Sequence, residues 1–153
     1  DGLESVCLDQ WLSPREGSAR SGAGRRRSLH AGASSKLLLA FAPSDVRDAF
    51  LGMPMPRFTA STIVHRGKLV QELERIRSAD IAISDGEISP TVVAIAAPVR
   101  DALGQVVAAL GISGTAARLN DKLPQYVTAV REHAARASKA LQEACESTTE
   151  QDT

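Results

Sequence analysis

The residues that can do chemistry in this chain are few and scattered. Cys7 or Ser34 as nucleophile, His30 as base and Asp85 as orienter can be assembled on paper into a hydrolytic or lytic site. No GxSxG nucleophile elbow accompanies them, and Gly22 and Gly24 alone do not make a phosphate-cradling loop, so no enzyme and no catalytic residue are expected. His30, His65 and His133 lie far apart and have no companion cysteines or carboxylates at ligand spacing; no metal and no other cofactor are expected. His30 is expected to cap or buttress the helix that follows it.

A different chemistry is available at the start of that helix. A helix beginning near Ala31 to Ser35 presents unpaired backbone N–H groups and the positive end of its dipole, and so can hold a carboxylate without an arginine. Ser113, with Ser34 or Ser35, can add hydroxyl donors. The competing interpretation is that these small residues let a helix and a sheet approach closely.

The whole-chain numbers exclude several classes. Lysine plus arginine and aspartate plus glutamate number 18 each, so the basic excess that phosphate-backbone binding requires is missing. The run Arg25 to Arg27 sits in a Gly/Ser-rich stretch and is expected to be a solvated surface segment. The apolar runs Lys36 to Ala42 and Val92 to Val99 fall far short of the roughly 20 residues of a membrane span. Cys7 and Cys145 lie near opposite ends with no CxxC pair and no signal peptide, which fits reduced thiols in the cytoplasm. With 153 residues, 43% of them hydrophobic, the chain suits one domain with a real core. Its opening at Asp1 is read as an N-terminal truncation.

The elements that must position these residues follow from periodicity. Leu3 to Asp9 reads as a short strand and Ser13 to Ser28 as a mobile connection. Helices are expected from His30 to Phe41, from Ser44 to Leu51 with Gly52 as the stop, and from Gly67 to Ser78, where apolar residues fall at 69, 70, 73 and 76. Asp80 to Ser84 alternates as a strand. Thr91 to Arg100 and Gln105 to Ser113, joined by Asp101 to Gly104, read as a hairpin. Pairing Arg100 with Gln105 sets Ala94 opposite Gly111 and Val92 opposite Ser113, which puts these four small residues on one face. A last helix from Asp121 to Cys145 carries Leu123, Tyr126, Val130, Ala134, Ala137, Leu141 and Cys145 on one stripe, followed by a frayed tail from Thr148. The order of elements gives an α+β domain, an antiparallel sheet with helices packed against it.

Two segments carry a family resemblance over roughly residues 3 to 145. Leu29 to Phe41 (LHAGASSKLLLAF) resembles the LHATAxGKALLAF segment of IclR-type transcriptional regulators, and Ala94 to Thr115 (AIAAPVRDALGQVVAALGISGT) resembles their IAAPVRDxxGxVVAALSVSGP segment. The resemblance implies a GAF-like or profilin-like effector-binding domain over residues 1–153. Such a domain binds a small, often carboxylate-bearing effector and assembles as a homodimer or homotetramer. Operator DNA is then reached only through an N-terminal winged helix-turn-helix domain absent from this sequence. Carried over by position, the ligand-binding residues would be Ala33, Ser34 and Ser35 at the helix start, Asp85 and Glu87 in an acidic loop, and Ala94, Gly111 and Ser113 on the hairpin. Ser34 and Ser35 add hydroxyls where the family tends to have glycine or alanine; Gly111 removes one where serine is common. A small hydrolase or lyase and a purely structural assembly domain are the alternatives.

Overall fold

The strand β4 (Val92–Arg100) organises the molecule, because its near-continuous apolar sequence VVAIAAPVR is buried on both faces. The computed structural model describes residues 2–14 and 22–151, with side chains as far as residue 145. The elements run β1 (Glu4–Val6), β2 (Arg26–Ser28), α1 (Ala33–Phe41), α2 (Ser44–Leu51), α3 (Arg66–Ala79), β3 (Ala82–Asp85), β4, β5 (Val106–Thr115), α4 (Ala116–Leu119), a 3-10 turn (Asn120–Lys122) and α5 (Leu123–Gln151). The strands β3, β4 and β5 form an antiparallel sheet in that order, and β1 pairs with β2 in a separate two-stranded sheet.

Strand alternation divides the sheet into two faces. Val93, Ile95, Ala97 and Val99 pack with Val130 and Ala134 of α5. Ala96, with Ala82 of β3, packs on the other side with Ala33, Leu37 and Ala40 of α1 and with Leu69, Leu73 and Ile76 of α3. Helices therefore cover both faces of an antiparallel sheet, the α+β arrangement expected. On α5 the predicted stripe is buried or half-buried through Ala137, whereas Leu141 and Cys145 are exposed. The helix continues through Gln151, where the sequence reading placed a frayed tail from Thr148; residues 152–153 lie outside the described part.

The hairpin register differs from the expected one by two positions. Val92 pairs with Thr115, Ala94 with Ser113 and Ala96 with Gly111. Two one-residue extensions cause this. The loop closes Arg100 onto Val106, with Asp101 N–H donating to Gln105 O at 3.0 Å, and an irregularity follows between Val99 and Arg100, so that Val99 pairs with Ala108. A shift of two preserves parity, and so Val92, Ala94, Gly111 and Ser113 still share a face.

The connection Ser13 to Ser28 is also corrected at its C-terminal end. Arg26 and Arg27 belong to β2, whose three residues pair with Val6, Ser5 and Glu4. An arginine pair in a short, half-exposed ribbon carries no apolar alternation, which is why periodicity misses it. Residues 15–21, the middle of the predicted mobile connection, lie outside the described part.

Candidate functional site

Two anchors fix α1 along β4. At its N-terminus Gly32, at φ 87°, donates its N–H to Glu87 Oε2 at 2.9 Å. At its C-terminus the ring of Phe41 lies 5.0 Å beneath the guanidinium of Arg100 at the far end of β4. The helix start is thereby held beside the end of β3 and the beginning of β4. There the sheet presents two cross-strand rows of small residues, Ser84–Ala94–Ser113 and Ala82–Ala96–Gly111. Directly opposite residues share a face, so both rows form the surface on which α1 lies.

The acidic loop between β3 and β4 is tied down from three sides. Gly86 takes φ 68°, and its carbonyl accepts from Thr59 Oγ1 at 2.5 Å. The Glu87 carbonyl accepts from Thr62 Oγ1 at 2.8 Å. The Glu87 carboxylate bridges the α1 N-terminus and Lys36, whose Nζ donates to Glu87 Oε1 at 2.5 Å, Glu72 Oε1 at 2.8 Å and the Ile83 carbonyl at 3.0 Å. An ammonium has three donors, and all three are used. Arg75 completes the chain of charges, with Nε at 2.7 Å from Glu72 Oε2 and Nη2 at 2.8 Å from Oε1. Burial by itself would raise the Glu72 pKa, but the hydrogen bonds from Arg75 and Lys36 outweigh it and hold the carboxyl below its ordinary value.

The residues carried over from the family resemblance divide into groups. Ala33, Ser35 and Glu87 are buried at the helix start; Ala94 is half-buried; Gly111 and Ser113 are exposed on β5. Ser35 turns toward β1, its Oγ 2.7 Å from Ser5 Oγ. Ser34 and Asp85 are exposed to solvent. Lys36, Glu72 and Ser84 belong to the same neighbourhood and were not anticipated. The signal for Lys36 was present: it stands three residues after Ala33 and four before Ala40 on the buried stripe of α1, where a charge demands a buried counter-charge.

The nucleophilic triad imagined from sequence does not assemble. His30 is fully buried, stacked between Phe50 and Phe58 with ring centroids at 6.2 and 5.5 Å. Its Nε2 donates to the Pro56 carbonyl at 2.8 Å, and its Nδ1 lies 2.8 Å from Ser28 Oγ. Both ring nitrogens are thus engaged in bracing the approach to α1. Cys7 Sγ turns to the Asp9 carbonyl, at 3.5 Å.

Comparison with known proteins agrees with this architecture. The family described as "Bacterial transcriptional regulator IclR C-terminal" matches residues 1–139. The chain belongs to this family: it is a C-terminal domain of an IclR-type bacterial transcriptional regulator. The HTH-type transcriptional repressor AllR of Klebsiella pneumoniae is 37% identical over 120 residues, covering 77% of this chain and 44% of the repressor. The crystal structure of Thermotoga maritima IclR superimposes with a TM-score of 0.85 at 29% identity, over 92% of this chain and 58% of that one. An IclR homologue from Microbacterium hydrocarbonoxydans, complexed with 4-hydroxybenzoate, superimposes with a TM-score of 0.84 at 28% identity, over 92% and 57% of the two chains. The chain thus spans about half the length of these relatives. Among the described residues no helix is long and apolar enough to cross a membrane.

Proposed function

We propose that this domain senses a small organic acid and transmits its presence to operator binding. The observation that carries the reading is the shared fold with an IclR homologue complexed with 4-hydroxybenzoate. The acid binds where the α1 N-terminus meets the Ser84–Ala94–Ser113 row. Its carboxylate takes backbone N–H groups of Ala33, Ser34 and Ser35, and Ser113 supplies a hydroxyl beside Gly111 and Ala94. Glu87 positions the helix end, and Asp85 at the loop's exposed edge meets the ligand's polar end. The charge of Glu87 is no barrier to a second carboxylate nearby, because Lys36 neutralises it.

The regulator to which the domain belongs acts as a cytoplasmic homodimer or homotetramer and reaches DNA through a winged helix-turn-helix domain. An effector that binds one assembly state better than another shifts the population between states of different operator affinity. Catalysis has no part in this cycle.

The test is a thermal-shift screen of the domain against hydroxybenzoates and aliphatic carboxylic acids, repeated with Ser113→Ala. A ligand selective for the folded state raises the melting temperature by mass action. A rise that Ser113→Ala diminishes is expected. Absence of a rise with every acid rejects the sensor reading in favour of a structural assembly domain, and turnover of a bound acid rejects it in favour of a hydrolase or lyase.

A further inference from the structure

On the sheet face opposite α1 lies an open groove of about 350 Å³ between the end of β4 and α5. Its origin is topological. The ladder of β3 ends on β4 at the pair Ala82–Ala96, so among the described residues the last four of β4 have no strand partner on that side. Pro98, which has no N–H to offer a neighbour, sits in this unpaired stretch. The C-cap of α3, Asp80 in the left-handed conformation at φ 53°, closes one end, and α5 forms the long wall.

The groove is cationic although the chain as a whole carries no net charge. Arg100, Arg131 and Lys139 line it against the single carboxylate of Asp80. Arg100 is largely committed: its Nη2 donates to Asp80 Oδ1 at 2.5 Å, its Nη1 to the Gly104 carbonyl at 3.2 Å, and its plane covers Phe41. Arg131 spends Nη2 on the Ala79 carbonyl at 2.7 Å, leaving most of a five-donor guanidinium at the groove. Lys139 meets Glu143 only at 3.7 Å in an exposed pair, which is a weak competitor for its ammonium. Ser138 and Gln142, about two and three turns beyond Arg131 on the same face of α5, hold the groove's shape: Ser138 Oγ accepts from Arg100 N–H, and Gln142 Nε2 donates to the Asp101 carbonyl.

We propose that this groove is a second binding site, for a small multivalent anion bearing carboxylate or phosphate groups. Arg131 grips one acidic group by its guanidinium fork, Lys139 attracts a second, and the apolar floor of Ala97 and Ala134 takes the carbon skeleton or excludes water. The site is separate from the proposed effector site, because the sheet stands between them. Neither proposal depends on the other.

Amide NMR spectra of the intact chain, titrated with citrate and separately with inorganic phosphate at constant ionic strength, test this. Saturable shifts of the Arg100, Ser138 and Gln142 amides with an unmoved Ser113 amide are expected. Citrate alone, phosphate alone or both producing them identifies the acidic group preferred. Arg131→Met weakens binding about tenfold or more, the loss of one charge-assisted pair. Lys139→Glu, at an exposed position of α5, weakens it as well. No saturable shift with either anion up to about 10 mM overturns the proposal. So do shifts centred on α1 and β5, or affinities unchanged in both variants.

Discussion

Lys36 Nζ lies 2.5 Å from Glu87 Oε1, joining two side chains that are 51 positions apart in sequence and exposed by only 1% and 8%. The pair clamps the acidic loop onto the first turn of α1. It costs desolvation of both ions, and the geometry repays this because every Lys36 donor and both Glu87 oxygens have partners.

Removing one member leaves the other charged and buried. Glu87→Ala is expected to destabilise the fold by about 3 kcal/mol, at the lower end for a broken buried pair because Glu72 still meets Lys36. Lys36→Met should cost at least as much, since it strands a buried carboxylate. The double variant Lys36→Met/Glu87→Ala should recover part of the combined loss. Denaturant unfolding of the four proteins gives the coupling; simple additivity of the two single losses would refute the clamp.

The fold was largely readable from the sequence because apolar periodicity reports on burial, and burial is what builds this sheet. The hairpin face survived an error of two in register for the same reason, since alternation fixes the parity of Ala94 and Ser113 while the loop and bulge fix the count. The site was harder to read. Its electrostatic centre joins α1, α3 and the acidic loop, and no local pattern announces that Lys36, Glu72 and Glu87 converge. Ser34 and Asp85, carried over by position from the family resemblance, are both solvent-exposed. Only the three-dimensional path of the chain separates Ser35, committed to Ser5, from Ser34 next to it.

The Glu72 carboxyl gives the clamp a pH signature. Its folded pKa lies below the ordinary 4.5 because hydrogen bonds from Arg75 and Lys36 overcome the opposing effect of burial. A depressed carboxyl stabilises the fold above its unfolded value, and the contribution is lost as pH falls through the folded value. Arg75→Met removes the bidentate partner and raises the folded value. Its melting temperature should therefore lie below the wild type's near neutral pH and fall less on acidification, because the stabilisation that acid removes from the wild type is already missing. Melting curves from about pH 7 to pH 3 decide, and superimposable profiles would count against the role assigned to Arg75.

His30 is a brace, and its replacement separates shape from polarity. His30→Ala should cost about 3 kcal/mol, from the cavity between Phe50 and Phe58 and from two lost hydrogen bonds. His30→Phe keeps the stack but strands the Pro56 carbonyl, and should cost about 1–3 kcal/mol. If the phenylalanine variant matches the wild type in chemical denaturation, the hydrogen bonds are dispensable and packing alone does the bracing.

Gly111 and Gly114 look alike in sequence, yet the structure predicts opposite tolerance. A Cβ on Gly111 would lie 2.5 Å from the Ile95 carbonyl oxygen and 3.2 Å from Ala96 Cβ, so β5 would have to move away from the central strand. A Cβ on Gly114 would lie 2.5 Å from Leu119 Cδ1, the far end of a side chain that can rotate. Gly111→Ala should cost about 1–3 kcal/mol, as overpacking does, and Gly114→Ala less than about 1 kcal/mol. Gly111→Ser should behave like Gly111→Ala, because its Cβ meets the same Ile95 carbonyl oxygen and Ala96 Cβ. Equilibrium unfolding of the three variants checks the order, and a Gly111→Ser protein as stable as the wild type would show that the strands yield readily. The expected result leaves Ser113, two residues farther on the same face, as the hydroxyl that β5 contributes to the proposed effector site.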